Sequence, residues 1–180
     1  MSSARIWVIS DTHFFHENIY QFTRQDGVTR VRPEFAHANE ADAEMVQRWN
    51  ATVQPVDHVY HLGDVTMLRS SNQARMFVEF IHTLNGHKRL ILGNHDHFPI
   101  DVYQAAGFQK IRGSHRPYRN LIMSHIPIHT DSLPKDGICV HGHIHERLVM
   151  ASPHHPDARY KNVSVEQINY TPVLLESLRP

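Results

Sequence analysis

The chain has 180 residues, the length of a single domain that can bury a core of its own, and 1–180 is read as one domain. Hydrophobic residues at 41% and charged residues at 20% are ordinary for a soluble globular protein and exclude a disordered or collagen-like chain. Lys and Arg number 18 against 18 Asp and Glu, so no basic field argues for strong non-specific nucleic-acid binding.

The opening "MSSARIWVIS" is too short in its apolar part for a signal peptide, and no window approaches a membrane span. A cytoplasmic protein is expected. A single Cys, Cys139, excludes a disulfide framework and a thiolate zinc site. The 17 His, nearly as many as Lys and Arg together, are the departure from the ordinary.

In chain order, "RIWVIS" (Arg5–Ser10) is short, apolar and rich in β-branched residues, as a buried strand is. A polar stretch from Phe22 to Phe35, "FTRQDGVTRVRPEF", reads as a long surface loop. "NEADAEMVQRWNATV" then carries Ala41, Met45, Val46 and Trp49 at helical spacing, with Asn39 as its N-cap. A second strand, "HVYHLG" (His58–Gly63), precedes a second helix in "SNQARMFVEFIHTLNG". Its stripe is Ala74, Phe77, Val78, Ile81 and Leu84, with Gly86 as C-cap. Three more strands follow as "RLILG" (Arg89–Gly93), "LIMS" (Leu121–Ser124) and "ICV" (Ile138–Val140), and the tail after Tyr160 adds one or two. Strands alternating with helices predict an α/β layered domain.

Each of the five strands ends in metal-competent side chains. Asp11 and His13 follow the first, Asp64 the second, Asn94, His95 and Asp96 the third, His125 the fourth, and His143 and His145 the fifth. In α/β sheets, the carboxyl edge of the strands is where sites are built. The donors are Asp, Asn and His, which suit Mn²⁺, Fe²⁺ or Zn²⁺. They are too many for one tetrahedral ion and enough for two. The Asp-x-His and His-x-His pairs fit strand alternation, where residues i and i+2 share a face.

The blocks "SDTH", "LGDV", "GNHD", "SH" and "HGHIH" resemble, in order, the motifs of the calcineurin-like metallophosphoesterases. "SDTHFFHENI" is similar to the opening of a subgroup of small bacterial and phage phosphoesterases. The resemblance implies a four-layer αββα sandwich of two mixed β-sheets flanked by helices. It implies that one divalent metal takes Asp11, His13, Asp64 and His145, and a second takes Asp64, Asn94, His125 and His143, with Asp64 bridging. Mn²⁺ is the expected ion, with Fe²⁺, Zn²⁺, Ni²⁺ or Co²⁺ as substitutes. The implied activity is hydrolysis of phosphate esters by a hydroxide held between the metals, with His95 assisting the leaving group and Asp96 either orienting His95 or capping the next turn.

The implied partner is a small phosphate ester or nucleotide. A phosphodiester suits the charge of such a site better than a monoester or a dinucleoside polyphosphate. A non-catalytic metal-binding scaffold of the same fold would be expected to lose ligands or His95, and neither is lost. His16 and Asn18, just past Asp-x-His, and Arg24 and Arg147 are the candidates for substrate contact. Arg30 and Arg32 are read with them as loop cations of which at least one reaches a phosphate. His61 and His141 are candidates for support beneath the metals.

Overall fold

A computed structural model describes residues 3–179. The chain builds β1 (Ile6–Ile9), α1 (Ala38–Thr52), β2 (His58–His61), α2 (Ala74–Ile81), β3 (His87–Ile91), α3 (Ile100–Ala105) and β4 (Ile111–Arg112). Its second half is β5 (Ser114–Tyr118), β6 (Leu121–Ser124), β7 (Ile138–His141), a small hairpin of β8 (Met150–Ser152) and β9 (His155–Pro156), β10 (Tyr160–Asn162) and β11 (Val173–Leu174). All five strands expected from the apolar runs form. The short strands β4, β5, β8 and β9 are additional; they carry too much polarity to register as buried runs.

The strands make two mixed sheets. The first has the order β11-β1-β2-β3-β4, the second β10-β7-β6-β5. Within the first, β1 to β4 are parallel and β11 runs antiparallel to β1; in the second, β6, β7 and β10 are parallel and β5 is antiparallel. Alternation along each strand feeds two cores. Val8, Tyr60, Leu62 and Ile91 from the first sheet meet Leu121, Met123, Ile138 and Val140 from the second. Trp7, Ile9, Val59 and Leu90 point the other way, into the helices. There Ala41, Met45 and Trp49 of α1 and Phe77 and Ile81 of α2 are buried. Each such large side chain contributes about 1.5–3 kcal/mol of burial.

The result is an α/β fold of two mixed sheets with flanking helices, as the family resemblance implied. The outer face of the second sheet meets a loop. The Ser124 hydroxyl donates to the Ile126 carbonyl, and the Tyr160 hydroxyl donates to that of Ile128.

Two helix ends differ from expectation. α1 starts one residue before Asn39, and its first amide, Ala38 N, donates to the Glu17 carboxylate 2.9 Å away. A distant acid does the capping that Asn39 was expected to do. α2 ends at Ile81, so Gly86 is not its C-cap. Gly86 has φ +88, and a Cβ there would also lie 2.9 Å from the Val53 side chain.

Candidate metal centre

β1, β2 and β3 run parallel, as do β6 and β7, so the segments following them reach the same edge of the sandwich. The expected alternation does not explain what happens there. Asp11 (φ 58), His13 (φ 48), Asp64 (φ 56), His143 (φ 69) and His145 (φ 50) all lie past the strand ends in left-handed backbone. Non-glycine residues seldom adopt it, and when they do the cost is on the order of 1–3 kcal/mol each. Pairs two residues apart share a direction because the chain turns sharply at both members.

Two motif glycines permit the close approach. A Cβ on Gly93 would fall 2.2 Å from Asp64 Oδ1, and one on Gly142 would fall 2.1 Å from Asp11 Oδ2. The Gly142 position also lets His143 N donate to both Asp11 oxygens, at 3.1 and 2.9 Å.

The side chains gather into two groups, Asp11–His13–His145 and Asp64–His125–His143, with the ligand-type atoms of each group within 4.8 Å of one another. Asp64 Oδ2 lies 3.5 Å from His13 Nε2 and 3.4 Å from His125 Nε2, placing this carboxylate between the groups. The donor set fits a cation. His125 Nδ1 faces the Leu62 carbonyl at 2.8 Å, so the ring proton belongs there and Nε2 presents a lone pair. That lone pair faces Asn94 Oδ1 at 2.9 Å and His143 Nδ1 at 3.2 Å. His13 is 2% exposed, and neither of its ring nitrogens has a hydrogen-bond partner. Buried acceptors aimed at one another need positive charge between them.

The support beneath these groups comes mostly from residues the motifs do not include. Glu166, its side chain 3% exposed, accepts from Arg32 Nε at 2.8 Å and faces His145 Nδ1 at 3.0 Å, which leaves His145 Nε2 toward Asp11. Burial alone would raise the Glu166 carboxyl, but Arg32 and the His145 hydrogen bond outweigh it and press it down to about 2. Arg32, fully buried, also donates to the carbonyls of Asp11 and Thr12. It is therefore not the solvated loop cation expected. Ser164 Oγ donates to Asp11 Oδ2 at 3.0 Å. No local pattern marks Glu166 or Ser164; the only cue was an acid and a hydroxyl in a tail of apolar β-type residues.

His61 is buried, its ring 3.0 Å from Thr12 Oγ1, and burial pushes it down to about 3. His141, also buried, sets its Nδ1 2.9 Å from the Gly142 carbonyl. Both lie under the site. Of the two roles expected of Asp96, orienting His95 is the one its contacts do not match: its carboxylate accepts from the amides of Gly93, Asp64 and Val65 at 2.8–3.0 Å. It ties the loop after β2 to the loop after β3, and its oxygens face backbone amides and the Tyr103 hydroxyl rather than the His95 ring.

His95 belongs to neither ligand group. Its amide donates to Asp64 Oδ1 at 2.8 Å, and its half-buried ring stands edge-on to His13 with centroids 5.4 Å apart. His16 sits at the same rim, 5.5 Å from His13, and burial pushes it down to about 4. Asn18 is exposed on the 3₁₀ turn that follows. Arg24 and Arg147, far apart in sequence, line one cleft of about 340 Å³ together with Phe22 and His145. Arg30 is exposed on the same loop and is not among the residues lining that cleft.

The Calcineurin-like phosphoesterase family model matches residues 4–178. The chain is 35% identical over 179 residues to the Uncharacterized protein MJ1445 of Methanocaldococcus jannaschii, covering 98% of this chain and 90% of that protein. It is 26% identical to the Gene 66 protein of Mycobacterium phage L5, covering 82% of this chain and 81% of that one. Among solved structures, the protein of unknown function AQ665 from Aquifex aeolicus superposes with a TM-score of 0.67 at 23% identity over 98% of both chains, a likeness of fold. Among the described residues no helix is long and apolar enough to cross a membrane. With the family match spanning nearly the whole chain, and two groups of candidate metal ligands at one edge of the sandwich, the chain belongs to the calcineurin-like phosphoesterases.

Proposed function

We propose that the protein is a dinuclear metal-dependent phosphodiesterase acting on nucleotide-type substrates, with Mn²⁺ as its working ion. The carrying observation is the convergence of lone pairs, with Asp64 set between Asn94, His125 and His143 on one side and Asp11, His13 and His145 on the other. Two divalent ions, when bound, supply positive charge for the phosphoryl oxygens and lower the pKa of a water toward ~7.

The rest falls to the chain. Glu166 and the Leu62 carbonyl hold the protons of His145 and His125 away from the centre. Asp96 fixes the Asp64 backbone against Gly93. His95, beside the cluster but outside both ligand groups, gives its proton to the ester oxygen that departs, a role worth about 10²–10⁴-fold. His16 and Asn18 border the approach, and Arg24 and Arg147 flank the outgoing part of the substrate.

The diester preference follows from cations that are spent. Arg32, the arginine nearest Asp11, is committed to Glu166 and two carbonyls. A dianionic monoester would need a further fixed cation. The cleft with Arg24 and Arg147 is the one observation in favour of a monoester.

The test compares kcat/KM for bis(p-nitrophenyl) phosphate and p-nitrophenyl phosphate in Mn²⁺, for wild type and His95→Ala. Diester preference with a large kcat loss in His95→Ala at unchanged metal content is expected. A tenfold monoester preference would overturn the substrate assignment. Metal loss in His95→Ala would make His95 a ligand.

A further inference from the structure

The zero net charge hides a segregated distribution. Between Asp101 and Asp131 the chain has no carboxylate, yet it carries Lys110, Arg112, Arg116 and Arg119. This stretch forms β4 and β5, the edge strands of the two sheets, joined through Gly113. Arg89 of β3 adds a fifth cation beside them: Lys110 O accepts from Leu90 N at 2.8 Å. Among the described residues none of the five forms an ion pair, whereas Arg5, Arg32, Arg48, Arg75 and Arg159 each do.

Cations on edge strands often serve only to prevent edge-to-edge pairing. Three features go beyond that use. Arg89 is half-buried, its guanidinium 5.0 Å from the Tyr60 ring centroid and bonded to the Tyr60 hydroxyl, while its Nε is buried with no partner. His115 stacks on Tyr60 at 5.4 Å, and Arg112 Nη1 lies 2.7 Å from His115 Nδ1. Burial and then the charges of Arg112, Arg89 and Lys110 lower His115, so the fields of all three converge on one ring. Aromatic and imidazole partners hold these guanidinium groups in place while no carboxylate neutralises them, so their charge stays available to a phosphate.

The third feature is position. Arg112 O accepts from Leu92 N at 2.8 Å, immediately before Gly93 and Asn94, and Ser114 pairs in register with Ser124, immediately before His125. The basic edge therefore starts where two of the metal-centre loops leave their strands.

We propose that the β4–β5 edge, with Arg89, is a track for the phosphodiester backbone of a nucleic-acid strand whose scissile phosphate lies at the metal centre. The proposal rests on the phosphodiesterase reading and specifies its substrate as a polymer of phosphodiesters. Such a chain presents further phosphates spaced along a strand, one per nucleotide, whereas those of a dinucleoside polyphosphate are contiguous and stay at the metal centre. With few contacts and no net protein charge, the hold is weak and salt-sensitive.

The probe is a fluorescently labelled, phosphorothioate-linked single-stranded dodecamer, whose anisotropy is followed with the Mn²⁺-loaded protein over a NaCl series. For single strands the slope of log K against log salt is about −0.7 per phosphate contacted. Lys110→Glu/Arg112→Glu should weaken binding at least tenfold and flatten the slope by about 1.4. Its kcat/KM for a natural oligonucleotide, relative to bis(p-nitrophenyl) phosphate, should fall by a similar factor. Arg75→Glu/Lys135→Glu, with the same change in net charge, should bind as wild type does. Equal loss in both double variants, or no loss in the first, overturns the track. If wild type leaves bis(p-nitrophenyl) phosphate uncleaved while Lys110→Glu/Arg112→Glu still loses the dodecamer, the phosphodiesterase reading falls and the track stands as a binding surface.

Discussion

Glu166 shows how much of this centre depends on single side chains outside the motifs. Its carboxylate neutralises buried Arg32 and orients His145 at once. Partners of this kind typically hold about 10–100-fold of a site's metal affinity. Glu166→Gln is expected to weaken Mn²⁺ binding by that factor in calorimetric titration while circular dichroism stays native. Unchanged affinity would reduce Glu166 to a partner for Arg32. Asp42 makes a second prediction. It is buried, its Oδ1 has no partner, and burial, only partly offset by the Phe15 amide, pushes it up to about 7. A carboxyl raised in the folded state contributes its full stability below the unfolded value of 3.8 and loses it as pH rises through about 7. Asp42→Asn should therefore match wild type near pH 4 and exceed it at pH 8, by on the order of 4 kcal/mol in denaturant titrations. A gap of the same size at both pH values would rule out titration as its cause. Residues with roles visible in the sequence were those at strand ends. Asp42 and Glu166 look like ordinary surface acids until the chain is folded around them.

At the level of elements, the five buried strands were legible because apolar runs closed by Gly or Ser have few alternatives. The amphipathic stripes of α1 and α2 were legible for the same reason. Their ends were not: the α1 cap comes from Glu17, a residue 21 positions before Ala38, and no local rule reaches that far. Nor did alternation describe the turns that carry the ligands, since left-handed backbone at Asp11, His13, Asp64, His143 and His145 leaves no signature beyond the glycines of the motif blocks. Those glycines can be tested. Gly93→Ala would drive a methyl into Asp64 Oδ1, and because Asp64 sits between the two ligand groups, both sites should suffer. Elemental analysis after Mn²⁺ loading and desalting is expected to show less than one ion per chain. Two retained ions would mean that the loops yield more easily than the packing indicates.

For the molecule as a whole, the architecture followed from family resemblance and from strand–helix alternation, while the charge map did not. A net charge of zero says nothing about an acid-free stretch gathered on one edge. The ligand groups also make global stability a function of metal. Without a cation, His125 Nε2 faces three other acceptor atoms, Asn94 Oδ1, His143 Nδ1 and Asp64 Oδ2, at 2.9–3.4 Å. A site at a thousandfold excess over its Kd adds about 4 kcal/mol, so chelation should lower Tm by on the order of 10 °C in calorimetry. A Tm indifferent to chelator would contradict the convergence of lone pairs as a cation site. The tail that supports the centre has a further consequence. Ser164 reaches back 153 positions to Asp11, Ser10 bridges to Ser164, and β11 lies along β1. On the ribosome, Asp11 is made 153 positions ahead of the Ser164 that braces it. The acidic turn at Asp11 is therefore unbraced until the Ser164 segment has been made and folded back, so a preformed cation site there is not expected earlier in synthesis.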